Sequence, residues 1–267
     1  KGNYKLTIIS GGYEKVTETL EIIENTEEIE KDFTLTFSAY TKTSSTKTMD
    51  AAVASYQEIG VLRKQVPIDA NAIASAYESE LQDLTKNVDA DNNLTLDSDI
   101  LGALDAIKNN NEPDLAAQVI DKTLQRVFYL AILERITDVR DDFHDGKKSD
   151  LKFLWDEAYA AYRAIIGTAN RENKILTEDR TAIETGSNPN LEDQILVAFI
   201  RGQKSLDRKD HEADEITLGI QRQVIRLSLV RAFYIAVLRE AEGVLNNRDS
   251  DPESALIFQK EGEVYYR

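Results

Sequence analysis

The sixteen residues from Gln118 to Leu133, QVIDKTLQRVFYLAIL, return 105 positions later as QVIRLSLVRAFYIAVL, from Gln223 to Leu238, with nine positions identical. Within each copy the apolar residues fall at helical spacing, as at Leu124, Phe128 and Ala131. Helical patterning alone does not impose that much identity, so the chain is expected to build similar helices twice. Two other elements recur. Asp50 to Tyr56 is echoed by Trp155 to Arg163 and by Glu261 to Arg267, and Asp99 to Leu104 is echoed by Gln194 to Phe199. The spacing predicts a mainly α protein of tandem pseudo-repeated helical bundles, about four helices each, over residues 49–147 and 148–267. The second unit ends in a closing helix or in the first helix of a further copy. Residues 113–144 read as one helix of about 48 Å, and a helix of that length needs a bundle to bury its stripe. Pro67, Pro113, Pro189 and Pro252 are placed at helix starts, and Asp251-Pro252-Glu253 reads as N-cap, N1 proline and first-turn acid.

The first 37 residues follow a different period. Tyr4 to Ser10, Val16 to Ile22 and Phe33 to Phe37 alternate as strands, with a Gly11-Gly12 turn between the first two. Three strands make a poor core alone, so a small β-sandwich fragment is expected. The pattern Gly2 to Ile8 followed by Gly12-Tyr13-Glu14 resembles the end of a carboxypeptidase-regulatory-like or PEGA-type β-sandwich, which implies an accessory or spacer module. Residues 38–48 hold seven Ser or Thr and no apolar period, and are read as a linker.

Charge and composition remove several classes of function. A net charge of −16 repels nucleic acid and anionic membranes, so no broad basic nucleic-acid face is expected, and because no run approaches 18 apolar residues no membrane insertion is expected. With no cysteine there is no disulfide, thiolate nucleophile or zinc-thiolate cluster, and His144 and His211 are the only histidines. No phosphate-cradling glycine loop or Gly-x-Ser-x-Gly elbow occurs, and neither histidine follows a glutamate by three residues as in di-iron bundles. Asp89 to Asn93 opens like a calcium loop, but Leu94 and Ile100 replace its glycine and glutamate. No leader heads the chain, which begins at Lys1 and reads as part of something longer. No enzyme activity is expected.

The remaining candidates are carboxylates and the two histidines. Arg126 and Arg231 sit at one repeat position inside apolar helical runs, with Glu157 and Glu261 as natural partners. Glu157 is read either as half of such a pair or as a cation ligand. Asp141 and His144 share a helix face near an acidic helix end, and Asp207, His211 and Glu215 fall at successive i, i+4 positions. Both sets suit a hard or borderline metal such as iron. The metal-ligating candidates are therefore Glu157, Asp207, His211, Glu215, Asp141 and His144.

The order Trp155 to Tyr162, Asn170-Arg171, Asn190, Ile195-Leu196, Gly202-Gln203 and Arg231 to Tyr234 resembles the iron-assimilating, low-iron or high-CO2-inducible periplasmic proteins. That resemblance implies an exported helical protein tied to iron uptake, with Glu157 and its equivalent Glu261 as ligand positions. The expected function is thus an extracellular, cell-surface or periplasmic module binding iron or another divalent or trivalent cation. The alternative is a structural or adhesive spacer that meets other cell-surface proteins and holds no metal.

Overall fold

The structure, a computed structural model, describes residues 2–8, 14–22, 39–147, 150–178, 191–207 and 211–266, with backbone alone for 170–178. It is mainly helical, with a two-stranded sheet at its N-terminus. Strands β1 (Gly2–Ile8) and β2 (Val16–Ile22) pair antiparallel from Gly2 opposite Ile22 to Ile8 opposite Val16. Tyr4 and Leu6 are exposed, and no helix packs on the hairpin. The expected strand at 33–37 and the Gly11-Gly12 turn lie outside the described residues, as do Pro189, Asn190 and Arg267.

The helices are α1 (Lys47–Leu62), α2 (Ala70–Tyr77), α3 (Glu80–Asn92), α4 (Leu96–Lys108), α5 (Pro113–His144), α6 (Leu151–Glu178), α7 (Leu191–Ser205), α8 (His211–Asn247) and α9 (Pro252–Tyr266). Their ends follow local chemistry. Pro113 and Pro252 open α5 and α9, and Asp251 caps α9 by accepting from the Ser254 N–H at 3.1 Å. Pro67 instead stands before the cap of α2, where Asp69 accepts from the Asn71 and Ala72 amides. The aborted calcium-loop residue Asp89 has a structural role: its carboxylate accepts from Leu96 N at 2.7 Å and Asp97 N at 2.9 Å, closing the start of α4.

The two long helices that carry the repeated sixteen residues touch each other, and each has a similar set of neighbours. Helix α5 packs on α4 and α6, and α8 packs on α7 and α9. Helix α9 also lies against α5, while α1 packs on α3 and α6, α3 on α5, and α2 on α1 and α4. One continuous core runs from α1 to α8 and includes Tyr77, Phe128, Trp155, Tyr162 and Phe199, all essentially without exposure. Burying side chains of that size contributes about 1.5–3 kcal/mol each.

Candidate functional site

Among the described residues the carboxylates of Asp121, Asp156, Glu157, Asp214 and Glu240 are buried, and the first three of these, with one histidine corner, tie separate elements of the helical region together. The first carboxylate belongs to Asp156 on α6, which has no exposure. One oxygen accepts from Tyr40 Oη at 2.5 Å and Gln203 Nε2 at 2.9 Å. The other accepts from the Thr43 and Ser44 backbone amides, both at 2.7 Å, and from Thr43 Oγ1 at 3.0 Å. Five donors replace the water that burial removes, which is the condition for keeping such a group inside. The Ser/Thr-rich stretch read as a linker is therefore docked over 39–46. Tyr40 stacks on Tyr159 with centroids 3.9 Å apart, and Gln203 also reaches the Thr41 carbonyl at 2.9 Å. Burial, then the bond to Asp156, pushes the Tyr40 phenol well above its ordinary value.

Beside it, Trp155 donates its indole N–H to the Phe199 carbonyl at 2.9 Å. A methyl group on Gly202 would stand 2.1 Å from the Trp155 ring, so only glycine lets α7 approach α6 there. The residues Trp155, Gly202 and Gln203, taken from the sequence as separate motif pieces, thus form one contact surface. Asp156, which makes the most bonds in it, carries no sequence signal beyond its neighbour Trp155.

The second carboxylate is Glu157, and its cation differs from the one expected. Arg135 Nε, more than two turns after Arg126 on α5, donates to Glu157 Oε2 at 2.8 Å. Glu261 likewise meets Lys122 at 3.4 Å rather than Arg231.

Lys122 links Glu261 to the third carboxylate, Asp121, in a network joining α1, α5, α6 and α9. Asp121 accepts from Tyr56 Oη at 3.0 Å and from Gln125 Nε2 at 3.2 Å, and pairs with Arg63 at 3.2 Å. Gln125 in turn accepts from Thr168 and from Tyr265, both at 2.9 Å. Burial would lower the Lys122 ammonium, but Tyr265, Asp121 and Glu261 outweigh it and hold it above its ordinary value. Burial raises Glu261, with Glu240 adding to the rise and Lys122 opposing it.

The histidine corner is where the end of α5 meets the start of α8. His144 Nδ1 lies 2.6 Å from Glu215 Oε1, bringing together one member of each predicted metal set. His211 stacks on Phe143 at 4.8 Å and places Nε2 3.1 Å from the Phe143 carbonyl. Asp141 pairs with Arg140 at 2.8 Å, and Asp207 pairs with Lys152. Among the described residues no three His, Asp or Glu side chains gather as a metal-binding group. Burial, then Asp91, pushes Glu134 on α5 up to about 7, and burial also raises Asp138 and Asp193.

No protein-family model, no curated protein and no solved structure matches the chain. Among the described residues no helix is long and apolar enough to cross a membrane.

Proposed function

We propose that the helical region is a non-enzymatic scaffold of an extracellular, cell-surface or periplasmic protein, built of tandem pseudo-repeated bundles that present a protein-binding face. What carries this reading is the use to which three inward-facing acids are put. Asp156, Glu157 and Glu261 each hold a group from another part of the chain, namely the 39–46 segment, Arg135 on α5 and Lys122 on α5. A carboxylate already engaged by a cation or by several donors serves as a clamp, and freeing it for a metal would leave its partner unmatched. The repeat supports the same reading, since α4 on α5 and α7 on α8 are like pairs, as are α6 on α5 and α9 on α8. The hairpin, exposed and apart from the helices, fits the expected β-sandwich spacer as a neighbouring module.

A second reading, an iron-binding module of the iron-assimilating kind, is favoured by one observation. His144 and Glu215 converge from two helices, and an imidazole with a carboxylate is a suitable partial ligand set for iron.

Iron titration of the intact chain, with elemental analysis of the purified protein, separates the two. The scaffold reading expects no stoichiometric iron and a lower melting temperature for Glu157→Gln. Stoichiometric iron that disappears in His144→Ala, with the melting temperature unchanged, would replace it with the metal reading.

A further inference from the structure

Helix α8 leaves one face open to solvent. Ile216, Ile220, Leu227, Val230, Tyr234 and Leu238 are all exposed, from 36% to 62%, and Leu245 continues the row. At 3.6 residues per turn they fall within an arc of about 80° along about 44 Å, a continuous seam rather than scattered surface residues. Beside the seam a groove of about 400 Å³ opens between α5, α8 and α9, walled by Tyr129, Phe233, Tyr234 and Tyr265 with Arg126 at its edge.

From Ile216 to Leu238 the charges beside this seam are of one sign, and just beyond that span Arg239 is paired with Glu240. The only charged residues within the span are Arg222, Arg226 and Arg231, in a chain whose net charge is −16. The molecule also contains a precedent for what covers such a face. The repeat places Leu227, Val230, Tyr234 and Leu238 at the positions of Lys122, Gln125, Tyr129 and Leu133 on α5. There α9 supplies Glu261 to Lys122 and Tyr265 to Gln125, and α8 supplies Phe233 edge-on to Tyr129. Arg126, the counterpart of Arg231, lines a pocket with Glu263 and Val264 of α9.

We propose that the open face of α8 docks an acidic amphipathic helix from a partner protein, one that carries a carboxylate about a turn from an aromatic residue, as α9 does. The apolar side of that helix covers Leu227, Val230 and Tyr234, and its carboxylates meet Arg226 and Arg231 at the border. This is recognition of a helix by a groove, with charge setting partner and register. It rests on the interaction-module reading above and gives that reading a surface and a partner chemistry.

The probe is a labelled, end-capped peptide of residues 252–267, titrated with the full chain by fluorescence anisotropy. Saturable binding in about the micromolar range is expected, weakening as salt rises and falling about tenfold or more in Tyr234→Asp. Arg231→Glu should weaken binding too, and a peptide carrying Glu263→Lys should restore it on that variant. Absence of saturation at about 1 mM, or equal binding by wild type and Tyr234→Asp, would overturn the proposal. Sedimentation showing a dimer that Tyr234→Asp abolishes would also overturn it, by giving the face to a second copy of the chain. Circular dichroism melts of each variant establish that a lost signal is not a lost fold. Iron bound at His144 would sink the scaffold reading whatever the peptide does, whereas a failed peptide titration in an iron-free chain sinks this face alone.

Discussion

Helices α5 and α8 start from closely related sequences and end in opposite environments. At one face α5 carries Lys122 and Gln125, both buried, and half-buried Tyr129, while α8 carries exposed Leu227, Val230 and Tyr234 at the same positions. The arrangement inverts the usual rule, with charge inside and hydrocarbon outside. A buried Lys is tolerable because Asp121 and Gln125 of its own helix join Tyr56 of α1, Thr168 of α6 and Glu261 and Tyr265 of α9 in one bonded set. Among the described residues the apolar row of α8 facing water has no such compensation. The inside of α5 is explained by partners already present, and the outside of α8 is explained by one that is absent from the fold.

The sharpest way to break this comparison is to remove the charge at one repeat position in both helices. Asp121→Asn leaves Arg63 without its carboxylate and Lys122 with Glu261 alone, and is expected to cost about 3 kcal/mol. Arg226→Ala, at the matching position on the exposed face of α8, should change stability by about 0.5 kcal/mol or less. Urea unfolding of the two variants measures both, and equal losses would mean that the network does not distinguish the helices.

Smaller effects are expected where α4 and α7 brace the long helices. Gly202→Ala drives a methyl group into Trp155 and should destabilise by about 1–3 kcal/mol. Gly102→Ala meets nothing within 4 Å on α4 and should stabilise by about 0.5–1 kcal/mol through reduced backbone entropy. Thermal melts that moved both variants in the same direction would contradict the tight α6–α7 contact.

The smallest effect is the pH dependence that Glu134 of α5 contributes. Glu134 is raised from its ordinary 4.5 to about 7, so the folded state keeps that proton longer than the unfolded chain. Its contribution to stability is therefore greatest below about 4.5 and is lost as pH rises through 7. Glu134→Gln should be more stable than wild type at pH 8, by about 1 kcal/mol at most for a half-buried group, and equal to it near pH 4.5. Its counterpart on α8 is Arg239, and Arg239→Gln should show no such crossover. Denaturation at the two pH values reads both.

Much of the helical architecture was legible from local chemistry. The span 113–144 follows from the N1 proline and an unbroken apolar period, and the start of α9 follows from Asp251-Pro252. The partners were not legible, because they depend on where helices cross. Nothing local tells Arg135 from Arg126 as the cation for Glu157, since both lie on α5 among apolar residues. Asp156 reads as one acid among many until the fold brings Tyr40, Thr43 and Ser44, more than 110 residues earlier, against it. The same folding-back turns a Ser/Thr-rich stretch that looks like a tether into a bound strap. Of the two predicted metal sets, Asp141 and His144 share α5 three residues apart and His211 and Glu215 share α8 four apart, but Asp207 lies in the turn after α7 and so off their helix, and spacing could not foresee that His144 would find Glu215 while Asp207 turned to Lys152.

Hydrogen–deuterium exchange, followed separately over residues 118–133 and 223–238 of the intact chain, tests the difference between the two helices most directly. Amides of the first copy should be the more protected, by about tenfold or more, with the second copy gaining protection when the 252–267 peptide is added. Equal protection in the free chain, or a second copy that the peptide leaves unchanged, would contradict the assignment of α5 to the closed core and α8 to an open docking face.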